Sequence, residues 1–182
     1  MRLLPRHAAA AMIAVLSAHA SFDRAASAQS AQQQQKPPAG APKQSANDLK
    51  PAFDALRVKD YARAERILKP MAERKDVRAQ FMLGAEIYGF AQSPLYDLSK
   101  AIPLLRDAAE RGFPRAMAVY AGALAEGAGV QQDKVEAYKY MALASRMRVP
   151  DTEVMLARLS SEMTDEELDR AKKAADAFVP RQ

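Results

Sequence analysis

The sequence predicts an all-α chain, built as a right-handed solenoid of stacked helix pairs, and three observations carry that expectation. Apolar residues from about residue 47 onward recur at helical spacing, and no stretch alternates apolar and polar side chains as a half-buried strand does. Residues that start and stop helices punctuate the same region at short intervals. Small residues also return at one place in successive units of 37 and 36 residues.

The first 46 residues stand apart from that pattern. Arg2 and Arg6 precede an uninterrupted apolar run over residues 8–16 (AAAAMIAVL), and small residues follow. A basic start, a short apolar middle and a small-residue exit make up a secretory leader. Nine apolar residues fall well short of the roughly 20 that span a bilayer, so no stable membrane span is expected once the leader is removed. Small-x-small cleavage sites follow Ala20 and Ala28. The second is preferred because the segment after it is so different, which makes 1–28 the leader. Residues 29–46 (QSAQQQQKPPAGAPKQSA) hold no aromatic or large aliphatic side chain. With nothing to offset the entropy of ordering, they are expected to form a disordered tether. The helical repeat domain should then occupy residues 47–180.

Losing the leader narrows the available chemistry. Both histidines, His7 and His19, lie inside it, and the chain has no cysteine and no tryptophan. A mature protein starting after either site has neither thiol nor imidazole. Disulfides, zinc sites built from Cys and His, Ser-His-Asp triads and Cys-His dyads are thereby excluded. No cofactor and no metal are expected. The full chain carries +5 from 27 basic and 22 acidic residues. Cleavage after Ala28 removes Arg2, Arg6, Arg24 and Asp23 and leaves +3. The remaining bases are interleaved with acids, as in Asp60, Arg63, Glu65 and Arg66, so no basic stripe for nucleic acid is expected.

Eight helices are predicted, over residues 48–57, 61–74, 77–90, 99–111, 114–126, 134–147, 152–162 and 165–179. Asp133-x-x-Glu136 and Thr164-x-x-Glu167 are capping-box patterns that satisfy the orphaned first amides of a helix. Pro114 suits a first helical position, and Gly112 and Gly127 suit the left-handed turn that ends one. Pro70 and Pro103 each fall inside a predicted helix, where a kink or a shifted start is expected.

The internal period links Ala64, Ala101 and Ala137, and likewise Ala72, Ala109 and Ser145, and Met71, Ala108 and Ala144. Ala79 with Ala116, Leu83 with Tyr120 and Gly84 with Ala121 repeat it. Stacked helix pairs need close backbone approach at fixed crossings, which is why small residues return. A two-helix unit of this length is close to the 34-residue tetratricopeptide pattern.

The segment AMAVYAGALAEGAGVQQDKVEAYKYMALA, residues 116–144, resembles the Sel-one-like repeat, a longer-loop relative of the tetratricopeptide repeat. Ala116, Gly127, Gly129, Val130, Asp133, Ala137, Tyr140 and Ala144 fall at the family's positions. Ala121 replaces its first glycine, and Leu124 stands where tyrosine is usual. The preceding unit, AQFMLGAEIYGF, fits at Ala79, Leu83 and Gly84. Its loop over residues 89–96 lacks the Gly-x-Gly-Val turn, and Asp97 arrives one residue late. Residues 60–80 look like an opening unit and 163–178 like a closing helix, so the resemblance spans about residues 52–178. It implies a scaffold or a periplasmic regulator of envelope signalling. Members assigned β-lactamase or penicillin-binding activity are cysteine-rich, so that activity is not carried over.

No other constellation calls for catalysis. The acids Asp165, Glu166, Glu167 and Asp169 suit the positive end of a helix dipole. Tyr88, Tyr96, Tyr120, Tyr138 and Tyr140 are expected to pack between helices, and Ser160-Ser161 has no base. The chain is therefore expected to be a periplasmic or secreted adaptor and not an enzyme. A glycan-associated module is the alternative, and a hydrolase is a third. In stacked pairs the first helix of each unit, here 77–90 and 114–126, lines the concave side. Ala79, Leu83, Ile87, Ala116, Tyr120 and Leu124 should face the core. Met82, Glu86, Val119 and Ala123 should point into the groove, with Arg78 and Glu86 at its edges, to hold an amphipathic peptide. For the leader, intact-mass analysis of the exported chain should show the loss of 20 or 28 residues; full-length mass in the cytoplasm would rule export out.

Overall fold

The computed structural model describes residues 46–182; the predicted leader and residues 29–45 of the predicted tether lie outside the described residues. A short 3-10 turn, Ala46–Leu49, opens the chain. There follow α1 (Lys50–Arg57), α2 (Tyr61–Glu73), α3 (Val77–Phe81, continued by a π-helical segment, Met82–Tyr88), α4 (Leu98–Glu110), α5 (Pro114–Glu126), α6 (Lys134–Arg146), α7 (Thr152–Ser161) and α8 (Asp165–Asp176). Every regular element among the described residues is helical, as the periodicity predicts.

The caps explain where the helices start. Asp60, Asp97 and Asp133 stand immediately before α2, α4 and α6, and their carboxylates accept the N–H of Arg63, Ser99 and Glu136 at 3.0, 3.0 and 2.9 Å. Thr164 and Glu167 form a reciprocal capping box at α8. The three aspartates keep the 37- and 36-residue spacing of the buried alanines.

The turns that end helices repeat as well. Lys75, Gly112 and Arg148 all take positive φ (65, 87 and 61°). Each is followed by a residue whose N–H reaches back into the helix just finished: Asp76 to Met71 O, Phe113 to Ala108 O, and Val149 to Ala144 O. Lys59, with φ 60°, closes α1 in the same way, Asp60 donating to Ala55 O. Glycine occupies only one of these four left-handed positions, so the other three each carry strain of about 1–2 kcal/mol. Glycine spotting from sequence therefore finds the Gly112 turn and misses its equivalents.

The longer loops also match. Asp97 N–H donates to Tyr88 O at 2.8 Å, and Asp133 N–H donates to Leu124 O at 3.0 Å. The two closing hydrogen bonds thus span the same number of positions, from 88 to 97 and from 124 to 133. The late arrival of Asp97 is not a loop insertion: the extra residue is taken up inside the helix, where Met82–Tyr88 widens into π-helical winding. Gly89 ends that segment at a place where a Cβ would come within 2.5 Å of Gly84 O.

Neighbouring helices pack on one another in order. The α3 helix with its π-helical continuation lies between α2 and α4, α5 lies between α4 and α6, and α6 also contacts α7 and α8. Fully buried alanines, among them Ala64, Ala79, Ala101, Ala116 and Ala137, sit inside these layers. Leu68, Leu83, Ile87, Leu105 and Met117 fill the larger spaces between them. Pro70 and Pro103 do not shift a helix start, since α2 begins at Tyr61 and α4 at Leu98. Both are exposed, so the carbonyls each leaves without an N–H partner, those of Arg66 and Ser99, belong to exposed residues where water can replace the bond. No described helix is long and apolar enough to cross a membrane.

Two glycines in helices separate close approach from chain entropy. A Cβ at Gly84 would lie 2.8 Å from Leu105 Cγ and 3.2 Å from Ala101 O, whereas one at Gly122 would meet nothing within 4 Å. Gly84→Ala should destabilise by roughly 1–3 kcal/mol through overpacking. Gly122→Ala should stabilise by about 0.5–1 kcal/mol. Urea midpoints that move the same way in both variants would contradict this.

Candidate binding surface

The residues expected to line a groove do not form one. Met82, Val119 and Ala123 are buried, at 3, 9 and 4% exposure, and belong to the core. The reason is that α3 and α5 have packed neighbours on both sides. A side chain turned off the main apolar stripe therefore meets a second helix instead of solvent. The sequence carried a signal of this: residues 116–125 (AMAVYAGALA) contain no charged or amide side chain, and a helix that is apolar all round is a buried one. Glu86 is half-buried.

Arg78, expected at the groove edge, is instead tied to its own cap. Its Nη2 lies 2.9 Å from Asp76 Oδ2, and its backbone N–H donates to Asp76 Oδ1, also at 2.9 Å. Asp76 is 2% exposed and also accepts the N–H of Ala79 at 3.4 Å. Burial opposes ionisation of this carboxyl, but the Arg78 guanidinium and the backbone donors outweigh it and hold the group below its ordinary range.

The other expected core positions are inside: Ala79, Leu83, Ile87, Ala116, Tyr120, Leu124 and Ala137 are all buried, and Gly84 sits at a helix crossing. Gly127, with φ 68°, is the left-handed cap of α5. Gly129 has φ 71°, and a Cβ there would lie 2.8 Å from Leu98 Cβ. Val130 packs against the core, and Asp133 caps α6. These residues build the frame.

What sequence reasoning missed is the segment after α8. Phe178 places its ring 6.1 Å from Tyr140 at 73°, and Tyr140 stands 5.4 Å from Tyr120 at 65°, so three rings step edge to face from tail to α6 to α5. Pro180 lies over the α4–α5 turn, where a Cβ on Gly112 would come 3.2 Å from its ring. Arg181 then reaches the C-terminal end of α4. Its N–H donates to Glu110 O at 2.8 Å. Its guanidinium pairs with Asp107 and lies 3.1 Å from Glu110 Oε2.

Asp107 gathers donors from three parts of the chain, because Gln80 Nε2 lies 2.5 Å and Lys75 Nζ 3.4 Å from the same carboxylate. Glu110 is also held by Arg106 Nε at 2.7 Å. The tail thus rests on an aromatic step, a turn without a side chain and a pair of acids. It lies on α4 and α6, the second helices of the two best-matched units, while the groove had been expected on the first. Burial, followed by the fields of Glu136 and Glu110, pushes the Tyr140 hydroxyl well above its ordinary range, so it stays protonated. A sequence signal for this segment existed in Phe178 and Arg181, an aromatic and a base three apart. Their partners come from helices 38 to 74 residues earlier, and no local pattern reports that.

The remaining candidates have local roles. Ser160 and Ser161 hydroxyls donate to Ala157 O and Arg158 O within α7. Asp165, Glu166 and Glu167 occupy the first turn of α8, as expected for dipole compensation.

The Asp76 cap gives a pH-dependent prediction. A carboxyl held below its ordinary pKa in the folded state stabilises fully above the ordinary range, and that contribution is lost as pH falls through the lowered value. Asp76→Asn, which keeps a capping oxygen but removes the charge paired with Arg78, should therefore cost roughly 1–3 kcal/mol at neutral pH. The gap from wild type should narrow in urea titrations carried to about pH 3; a gap unchanged with pH would contradict the assignment.

Comparison with known protein families finds none that matches the chain, and comparison with curated proteins finds no match, so the resemblance to the Sel-one-like repeat rests on the residues that carry it.

Proposed function

We propose that this chain is an exported adaptor, periplasmic or secreted, whose helix pairs stack as a short right-handed solenoid of the Sel-one-like kind and hold a protein or peptide partner. The observation that carries the reading is the seating of residues 178–181. A surface on α4, α6 and the α4–α5 turn accepts a non-helical stretch of chain through an aromatic contact, a backbone hydrogen bond and ion pairs. These are the contacts by which peptide-binding proteins hold extended ligands. Supporting the stacked-pair arrangement, caps, left-handed turns and loop-closing hydrogen bonds all return at the same spacing as the buried alanines. Export rests on Arg2 and Arg6 followed by the apolar run over residues 8–16.

The test is crosslinking in cells. A photoreactive residue in place of Arg106, exposed on α4 beside the tail, should give a discrete protein adduct in an envelope fraction. The same residue in place of Lys172, on the exposed face of α8, should not. Adducts with glycan alone at position 106, or equal protein adducts from both positions, would overturn the proposal.

A further inference from the structure

We propose that residues 178–181 are a built-in occupant of the partner site, and that the partner displaces them with a segment of the same chemistry: an extended stretch with an aromatic residue followed three positions later by an arginine. The proposal rests on the adaptor reading and adds to it the identity of the ligand class and a means of control.

Three features of the tail support it. Its contacts recognise side chains. Phe178 meets the edge-to-face ring step of Tyr140 and Tyr120, Pro180 crosses at a turn whose glycine leaves room for it, and Arg181 enters between Asp107 and Glu110. The guanidinium of Arg181 joins two carboxylates, only 15 and 23% exposed, that Lys75 and Arg106 also hold, so the acids keep a cationic partner when the tail leaves. Finally, the hold is moderate. The Arg181 side chain is 54% exposed, so its ion pairs are screened by solvent and salt and are of the weak, exchangeable kind.

The tail is tethered, however, and a tethered ligand acts at an effective concentration in the millimolar range. It therefore excludes weak or unrelated peptides while yielding to one that makes the same contacts more tightly or is itself held nearby. Displacement would uncover Tyr140, Gly112 and the Asp107–Glu110 pair together, because one short segment covers all of them.

The experiment measures binding of a fluorescent peptide, DAFVPRQ, the sequence of residues 176–182, to the full-length chain and to its Arg181→Glu variant. The substitution sets a negative charge against Asp107 and Glu110 and should release the tail without touching the core. The variant is expected to bind the peptide roughly tenfold or more tightly than wild type. A chain ending at Ala177 should behave like the variant. Peptides with Phe replaced by Ala, or Arg by Glu, should lose binding to both.

Equal affinity of wild type and variant, or no binding to a variant that unfolds cooperatively, would overturn the proposal. So would sedimentation showing a wild-type dimer that dissociates in Arg181→Glu, because the tail would then serve a second copy of the chain. The two failures are distinguishable. Peptide binding without a protein crosslink at position 106 removes the adaptor reading, and with it the partner, leaving only a displaceable tail; a crosslink without peptide binding overturns this proposal and leaves the adaptor reading standing.

Discussion

The structure depends on how closely helix backbones approach one another. Gly84 leaves no room for even a methyl group against Leu105 and the Ala101 carbonyl, and alanines at 64, 79, 101, 116 and 137 have no exposed surface. With small side chains at these crossings, dispersion between closely packed backbones and the pairing of polar groups at helix ends contribute to stability. Side-chain caps at α2, α3, α4, α6 and α8 supply part of that pairing. A fold with a thick aliphatic core could tolerate a frayed cap or an unpaired carbonyl more easily than this one.

The same constraint accounts for the placement of the irregular residue. With the loops before α4 and α6 closed by equivalent hydrogen bonds, an extra residue between Ala79 and Tyr88 must go elsewhere. Bulging the loop would move Asp97, the cap of α4, and with it the Ala101 crossing. Widening the helix leaves both ends in register at the expense of a few strained hydrogen bonds. The two glycines of this segment, Gly84 and Gly89, stand five residues apart, and at both a Cβ would crowd a backbone carbonyl. The register of α4 against its neighbours is thus kept despite the extra residue.

The binding surface follows a different logic from the frame. Its components are contributed by α4, α5 and α6 and converge only because those helices are stacked. Asp107 shows this most directly, since it joins α3 through Gln80, the α2–α3 turn through Lys75 and the tail through Arg181. Residues 178–181 then pack without helical structure of their own on side chains of α4 and α6.

By itself the sequence determined the helical class, the eight helices α1 to α8 among the described residues (α3 taken with its π-helical continuation) with ends displaced by three residues at most, and the stripe that faces inward. It could do so because helix periodicity, capping and small-residue spacing are local or periodic signals, complete within one unit. The tertiary structure decided which apolar residues remain free. Met82, Val119 and Ala123 looked available because one helix considered alone has an outer face. Once α2, α4 and α6 are in place that face is gone. It also decided where the chain end rests, a matter of contacts between residues up to 74 positions apart. Exposure and long-range pairing are properties of the assembled layers, and no single helix carries them.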